Sequence, residues 1–214
     1  MSESFLDKTV RQFLDELASG APVPGGGSVS ALAGSLAAGL VTMVCDLTLG
    51  KKKYADVEEE IQAIRQQAEK IRARLQNLLD GDVAAYGDLS AAYKLPRETE
   101  EDKAKRSEAV QAATIVATRV PLEIAEAAAQ TVALADPAAV KGNMWAVSDA
   151  GIAALLGEVA VHSALMNVKI NLGSLKDEAF AAEVRERMDK VTSGLAERRE
   201  AILKVTYERM GYSG

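Results

Sequence analysis

The chain has 214 residues, of which 48% are hydrophobic but only 4% aromatic, so its apolar content comes mainly from Ala, Val, Leu and Ile. Such a composition favours closely packed helices over sheets. The net charge of −6, the single histidine and the single cysteine argue against a general nucleic-acid-binding surface, an intrachain disulfide and a structural zinc site.

The N-terminal residues MSESFLDKTV lack the apolar core of a signal peptide. The only cysteine, Cys45, lies within an apolar segment and is expected in the core. Because a chain with one cysteine is compatible with a reducing compartment, we expect a cytoplasmic protein. The length suits one domain, which we assign to residues 1–214.

The spacing of apolar residues predicts about six helices and no strand. The first helix spans about residues 4–18, and the second spans about residues 28–49, after three consecutive glycines. The second helix is small and apolar on nearly all sides, which indicates the centre of a helical bundle. A membrane span is the alternative for this segment, but its glycines and hydroxyl side chains disfavour it.

The remaining predicted helices are long, and Pro121 is expected to kink or break the fourth of them. The sequence contains no linker of low complexity and no repeat of fixed period. The expected fold is therefore an all-α helical bundle. The third to sixth helices are predicted at about residues 56–95, 98–135, 143–171 and 177–210, with a link at Asp136 and Pro137 before the fifth.

Asp82 lies on the apolar face predicted for the third helix. The spacing that places Leu75 and Leu78 on this face continues through Asp82 and Tyr86. A carboxylate that faces other helices is costly unless it is hydrogen-bonded or opens onto a cavity, and burial would raise its pKa toward a range useful for proton transfer. The alternative is a surface aspartate at a register break caused by Gly81.

Two polar residues lie on one face of the fifth predicted helix. Asp149 and Asn167 are separated by 18 residues, which is five turns and about 27 Å along a helix. They cannot both contact one small reacting centre from a straight helix. They serve either opposite ends of a long ligand or different sites at a subunit interface, and the alternative is a capping or packing role for each.

The second helix is flanked by two candidate binding segments. Gly25, Gly26 and Gly27 precede Ser28 at the predicted helix start, where backbone N–H groups attract anionic or carbonyl groups; the alternative is a loop with Ser28 as the N-cap. Beyond the other end lie consecutive basic residues, which either complement the helix dipole or bind a polycarboxylate. These are Lys51, Lys52 and Lys53.

Six segments occur in an order that resembles a known family. They are PVPGGGSVSALAGSLAAGL, KKKY, DVAAY, RVPLEIAE, GNMWAVSD and NVKINL, and together they span about residues 5–180. They resemble the cyclodeaminase domain of formiminotransferase-cyclodeaminase and its stand-alone bacterial relatives, which are called methenyltetrahydrofolate cyclohydrolase or formimidoyltetrahydrofolate cyclodeaminase. No formiminotransferase domain precedes these segments, so channelling within one chain is not expected.

The resemblance implies a dimeric helical bundle that binds a tetrahydrofolate carrying a one-carbon unit, often with a polyglutamate tail. It implies that Asp82 is the catalytic residue. The reaction that it implies needs no cofactor beyond the tetrahydrofolate substrate and no metal. From the net charge and the composition of the second helix we expect no nucleic-acid or membrane partner. The residues that fall in the family motifs of the proposed substrate site are Gly25, Gly26, Gly27, Ser28, Lys51, Lys52, Lys53, Tyr86, Asn143, Asp149 and Asn167.

Three functions remain open from the sequence. The first is cyclodeamination of 5-formiminotetrahydrofolate to 5,10-methenyltetrahydrofolate with release of ammonia. The alternative is hydrolysis of 5,10-methenyltetrahydrofolate to 10-formyltetrahydrofolate, which needs the same cleft and the same proton carrier. A non-catalytic helical dimer or adaptor explains the periodicity, but it gives no reason for the inward position of Asp82.

Overall fold

A computed structural model describes residues 4–212, and within this range the chain is helical with no strand. The all-α prediction is confirmed. Within this range seven α-helices are joined by short connections, two of which contain a 3-10 helix, and a third 3-10 helix precedes the first α-helix. The α-helices are α1 Val10–Leu17, α2 Gly26–Asp46, α3 Glu58–Tyr93, α4 Glu100–Lys141, α5 Val147–Leu172, α6 Glu178–Thr192 and α7 Leu195–Met210.

Helices α2 to α5 form an antiparallel bundle in which each helix runs opposite to the one before it. Arg65 near the start of α3 contacts Asp46 at the end of α2, and Lys141 at the end of α4 pairs with Glu60 at the start of α3. Asn171 at the end of α5 contacts α4 at Ala117. The bundle therefore has two ends. One contains the start of α2, and the opposite one contains the end of α2.

Helix α2 is the central helix that its composition predicts. It packs against α3, α4 and α5, and small residues such as Ala31, Ala37 and Ala38 are completely buried. Both α2 and residues Met144–Leu172 have the length and mean hydropathy of a membrane span, but 61% and 50% of these apolar windows are buried inside the protein. Both segments therefore lie partly inside the bundle, and each keeps exposed apolar side chains.

Several predicted helix limits are wrong for local reasons. The first helix is divided because Thr9 and Gln12 form a capping box that begins α1 anew. The last is divided into α6 and α7 at Gly194, which has a φ of +68°. The predicted link at residues 136–137 is absent, because α4 continues through Pro137 to Lys141.

The predicted break at Pro121 is also absent, and α4 passes through this residue as one helix. A proline has no N–H to donate to the carbonyl four residues earlier, which here belongs to Ala117. The Nδ2 of Asn171 donates to that carbonyl oxygen at 2.7 Å. A neighbouring helix thus supplies the hydrogen bond that the proline removes.

Candidate active site

Asp82 reaches from α3 to the first turn of α2. Its Oδ2 accepts a hydrogen bond of 2.9 Å from the hydroxyl of Ser28, which is completely buried. The N-cap of α2, Gly25, provides no side-chain hydrogen bond. The carboxylate of Asp82 therefore takes the place of a capping group at the positive end of the α2 dipole.

Two opposing influences act on the pKa of Asp82. Burial raises it, and this is the larger effect, whereas hydrogen bonds from the hydroxyl and the backbone N–H of Ser28 lower it. The pKa of Asp82 is consequently raised above the ordinary aspartate value. A half-buried carboxylate of this kind can take up and release a proton closer to neutral pH than a solvated aspartate can.

One of the three glycines at the start of α2 has a structural role that the sequence does not suggest. A Cβ at Gly27 would overlap the Asp82 carboxylate, so only a glycine allows this approach. Ser28 does not cap α2, because the helix already begins at Gly26. Gly27 thus opens the start of α2 to a carboxylate of the same chain, and a substrate role of Gly25, Gly26 and Gly27 stays a prediction.

A cleft of about 230 Å³ lies beside Asp82. Asn167 enters it from α5, and its amide is 3.6 Å from a Cβ built on Gly26. The Nδ2 of Asn167 donates to the Ser163 carbonyl oxygen at 3.1 Å. The lining comes from three helices and comprises Asp82, Ala85, Tyr86, Leu89, Ala117, Asn167, Ile170 and Asn171.

Tyr86 separates this cleft from a larger one of about 720 Å³ on the other side of α3. The larger cleft includes Phe5, Pro22 and Lys94 among its lining residues. Tyr86 is 45% exposed, so its predicted place on the buried face of α3 is wrong. The buried face shifts around α3 along its length, because 3.6 residues per turn do not match a seven-residue repeat. In this turn Leu79 is therefore fully buried instead of Leu78.

The predicted substrate residues do not all meet in one chain. Lys51, Lys52 and Lys53 are exposed beyond the end of α2, whereas the Asp82 cleft lies at its start. Helix α2 has 21 residues, which span about 30 Å. Asp149, in the first turn of α5, also lies away from the Asp82 cleft, as its distance from Asn167 along the helix predicts.

Asn143 lies at the lysine end of the bundle and is only 4% exposed. Its Nδ2 donates to the Leu47 carbonyl oxygen at 2.8 Å, and its Oδ1 accepts from the backbone N–H of Trp145 at 3.2 Å. Its backbone N–H donates to the Thr48 hydroxyl at 2.8 Å. Within this chain Asn143 ties the end of α2 to the start of α5, and its substrate role stays a prediction.

Two residues of these regions are not among the predicted site residues. Asn171 lines the Asp82 cleft, and the signal for it was Pro121, which leaves the carbonyl of Ala117 without a donor within α4. Trp145 is 88% exposed, which no periodicity reveals. Among residues 4–212, no group of three or more His, Cys, Asp or Glu side chains could hold a metal ion.

A family model described as formiminotransferase-cyclodeaminase matches residues 9–190. The chain belongs to this family. A methenyltetrahydrofolate cyclohydrolase from Methylorubrum extorquens is 41% identical to it, over 89% of this chain and 90% of that protein. The pig formimidoyltransferase-cyclodeaminase is 34% identical, over 88% of this chain but only 35% of that protein.

A solved member of the formiminotransferase-cyclodeaminase family has the same fold. The crystal structure of formiminotetrahydrofolate cyclodeaminase from Thermotoga maritima matches with a TM-score of 0.85 and 27% identity, over 96% of this chain and 98% of that one. The family predicted from the six sequence segments is therefore confirmed. Asp82, which the helical spacing had also indicated, lies within the matched region.

Proposed function

We propose that this chain acts on the one-carbon bridge between N5 and N10 of tetrahydrofolate, with Asp82 as the proton carrier. The observation that carries the proposal is the half-buried Asp82 carboxylate, with its raised pKa, beside a cleft at the start of α2. Both named reactions of the relatives need a group that accepts a proton in one step and returns it in another. Neither requires a cofactor beyond the tetrahydrofolate substrate.

Hydrolysis of 5,10-methenyltetrahydrofolate is the first candidate, because the cyclohydrolase relative is 41% identical and aligns over 90% of its own length. Water adds to the amidinium carbon while the Asp82 carboxylate takes one of its protons. The bond from that carbon to N5 then breaks, and N5 receives a proton from Asp82. The product is 10-formyltetrahydrofolate, and the second water proton is released.

Cyclodeamination of 5-formiminotetrahydrofolate is the second candidate, and the likeness to the Thermotoga maritima cyclodeaminase favours it. N10 attacks the formimino carbon, and Asp82 accepts the N10 proton. Asp82 returns this proton to the formimino nitrogen, which takes a second proton from solvent and leaves as ammonia, and the methenyl cation remains. Because ring closure is intramolecular, a cleft that holds the substrate in a bent conformation supplies much of the acceleration.

The decisive assay follows methenyl absorbance and ammonia separately with each substrate. We expect enzyme-dependent loss of the methenyl chromophore for the first reaction, and its appearance together with ammonia for the second. Asp82→Asn should lower kcat by a factor of at least about 10². The proposal fails if neither substrate is converted faster than without enzyme, or if Asp82→Asn retains the wild-type rate.

We also propose that the chain works as a cytoplasmic homodimer that binds folate, including polyglutamylated forms, and binds neither nucleic acid nor membranes. The dimer is supported by large apolar side chains that remain exposed on α2 and α5, such as Leu36 at 55% and Val159 at 58%. The net charge of −6 disfavours anionic polymers and anionic lipid surfaces. Light scattering of the purified chain should give twice the monomer mass.

A further inference from the structure

A further cleft lies between α4, α6 and α7, and we call it the α4–α6–α7 cleft. Its volume is about 520 Å³, which is within the range of about 300–1,000 Å³ that is typical of sites for small organic ligands. It shares no lining residue with the Asp82 cleft or with the larger cleft beside Tyr86. The reaction proposed at Asp82 therefore gives this cleft no role.

The α4–α6–α7 cleft is positively charged, although the whole chain has a net charge of −6. Its charged lining residues are Glu126, Arg187, Lys190 and Arg198. The Nε of Arg187 donates to Oε1 of Glu126 at 2.8 Å, and its Nη2 donates to Oε2 at 3.0 Å. The third nitrogen of this guanidinium, Nη1, donates to Glu183 at 3.2 Å. Because Arg187 neutralises Glu126, the charge of the cleft comes from Lys190 and Arg198.

Lys190 and Arg198 lie on either side of the turn that joins α6 to α7. Lys190 is in the last turn of α6, and Arg198 is the fourth residue of α7. Both residues are exposed. Within residues 4–212 neither of them takes part in an ion pair. Both cations are therefore free to bind an anion that enters the cleft.

The turn between α6 and α7 adds uncharged donors to these two cations. Gly194 is the N-cap of α7, and it has no side chain that could accept from the first N–H groups of the helix. A Cβ built on Gly194 would have no atom within 4 Å, so this side of the turn is open. Ser193, which also lines the cleft, carries a hydroxyl group. Donors of this kind favour an anion with several acceptor oxygens.

The rest of the cleft wall is apolar. Ala129 and Ala133 come from α4, Val191 from α6 and Leu195 from α7. An inorganic ion bound near the cations would leave these side chains in contact with water, whereas a ligand with a carbon skeleton would bury them. The wall therefore favours a ligand in which an anionic group is joined to an apolar body.

We propose that the α4–α6–α7 cleft binds a small organic phosphate, with the phosphate group at Lys190 and Arg198 and the carbon skeleton on the apolar wall. A phosphate dianion balances the two positive charges, and its terminal oxygens can accept from the ammonium, the guanidinium and the N–H groups at the start of α7. A single carboxylate carries one charge and two oxygens, so it would satisfy fewer of these donors. Because the cleft is separate from Asp82, this ligand binds without displacing a molecule at Asp82.

Isothermal titration calorimetry of the full chain tests the ligand class with three probes, which are phenyl phosphate, inorganic phosphate and triglutamate. We expect phenyl phosphate to bind at a single site per chain and severalfold more tightly than inorganic phosphate, because only the ester covers the apolar wall. Triglutamate should bind more weakly than phenyl phosphate. The proposal is overturned if phenyl phosphate shows no saturable binding, or if inorganic phosphate or triglutamate binds more tightly.

Substitutions of the two cations test the place of binding at constant ionic strength. Lys190→Ala and Arg198→Ala should each weaken the binding of phenyl phosphate by at least about tenfold, because each removes a charge-assisted hydrogen bond. Arg185→Ala is the matched control, since Arg185 is an exposed basic residue of α6 that does not line the cleft, and it should leave the affinity unchanged. Equal weakening by Arg185→Ala would indicate attraction to net charge alone and would overturn the site. No turnover is measured, so the outcome is independent of the proposed reaction.

Discussion

The Asp82 carboxylate occupies the space that a Cβ on Gly27 would need. No Cβ fits there without displacing the carboxylate, and Gly27 lies within a regular helix. Alanine itself is a better helix former than glycine, by about 1 kcal/mol. The glycine at this position is therefore required by the neighbouring carboxylate and not by the local backbone.

Gly27→Ala is expected to lower kcat by about as much as Asp82→Asn, because both remove a correctly placed carboxylate. The helical content should stay unchanged. Gly39→Ala is the matched control in the same helix, since the nearest atom to its Cβ would be Arg72 Cδ at 3.9 Å. Kinetics and circular dichroism of both variants measure the effect; wild-type kcat in Gly27→Ala would contradict it.

The raised pKa of Asp82 predicts how both stability and activity depend on pH. The folded state holds the Asp82 proton more tightly than the unfolded state, whose aspartate pKa is about 3.9. The free energy of unfolding therefore loses a contribution as pH rises through the window between that value and the raised pKa of the folded protein. Ionisation of Asp82 thus lowers the free energy of unfolding, although the proposed reaction needs the ionised carboxylate.

We expect Asp82→Asn to gain stability relative to wild type as pH rises across this window, while its activity is lost. In the wild type, kcat should fall at acidic pH with an apparent pKa above that of a solvated aspartate. Urea unfolding of both proteins between about pH 4 and pH 7, with a parallel kcat profile, measures both effects. A stability difference that is independent of pH would contradict the assignment.

Helix α4 shows how one element depends on another. The proline at position 121 leaves the Ala117 carbonyl without a donor within α4, and Asn171 of α5 supplies it. The same Asn171 lines the Asp82 cleft. This hydrogen bond therefore couples the continuity of α4 to the position of α5 at the cleft.

Asn171→Ala is expected to lower the free energy of unfolding by about 1 kcal/mol, since it leaves the partly buried carbonyl of Ala117 unpaired. In a Pro121→Ala background the loss should be smaller, because the new backbone N–H can donate to the same oxygen. Chemical denaturation of the four proteins in this double-mutant cycle gives the coupling energy. Equal losses in the two backgrounds would show that the hydrogen bond does not compensate for the proline.

The bundle as a whole shields its only thiol. Cys45 is completely buried, and burial together with the nearby Asp46 raises the pKa of its thiol to about 11. A protonated thiol in the core of α2 reacts only when the helices around it separate. Its modification is consequently a measure of unfolding of the whole bundle.

We expect Cys45 to resist a thiol reagent in the native protein and to react at the rate of global opening. Gly20→Cys serves as the control, because position 20 is exposed with no atom within 4 Å of a built Cβ, and its thiol should react at once. The reaction is followed by mass spectrometry over time. Equally fast modification of Cys45 would mean that the core opens locally.

The periodicity of apolar residues was sufficient to predict the all-α fold, the central position of α2 and the inward position of Asp82, because helical spacing is a local property of the chain. The six motifs identified the family. Only the tertiary structure decided that Asp82 meets Gly27 and Ser28 at the start of α2, and so lies at the opposite end of this helix from Lys51, Lys52 and Lys53. The physical reason is that such meetings depend on the direction and register in which antiparallel helices pack, and no local spacing encodes either.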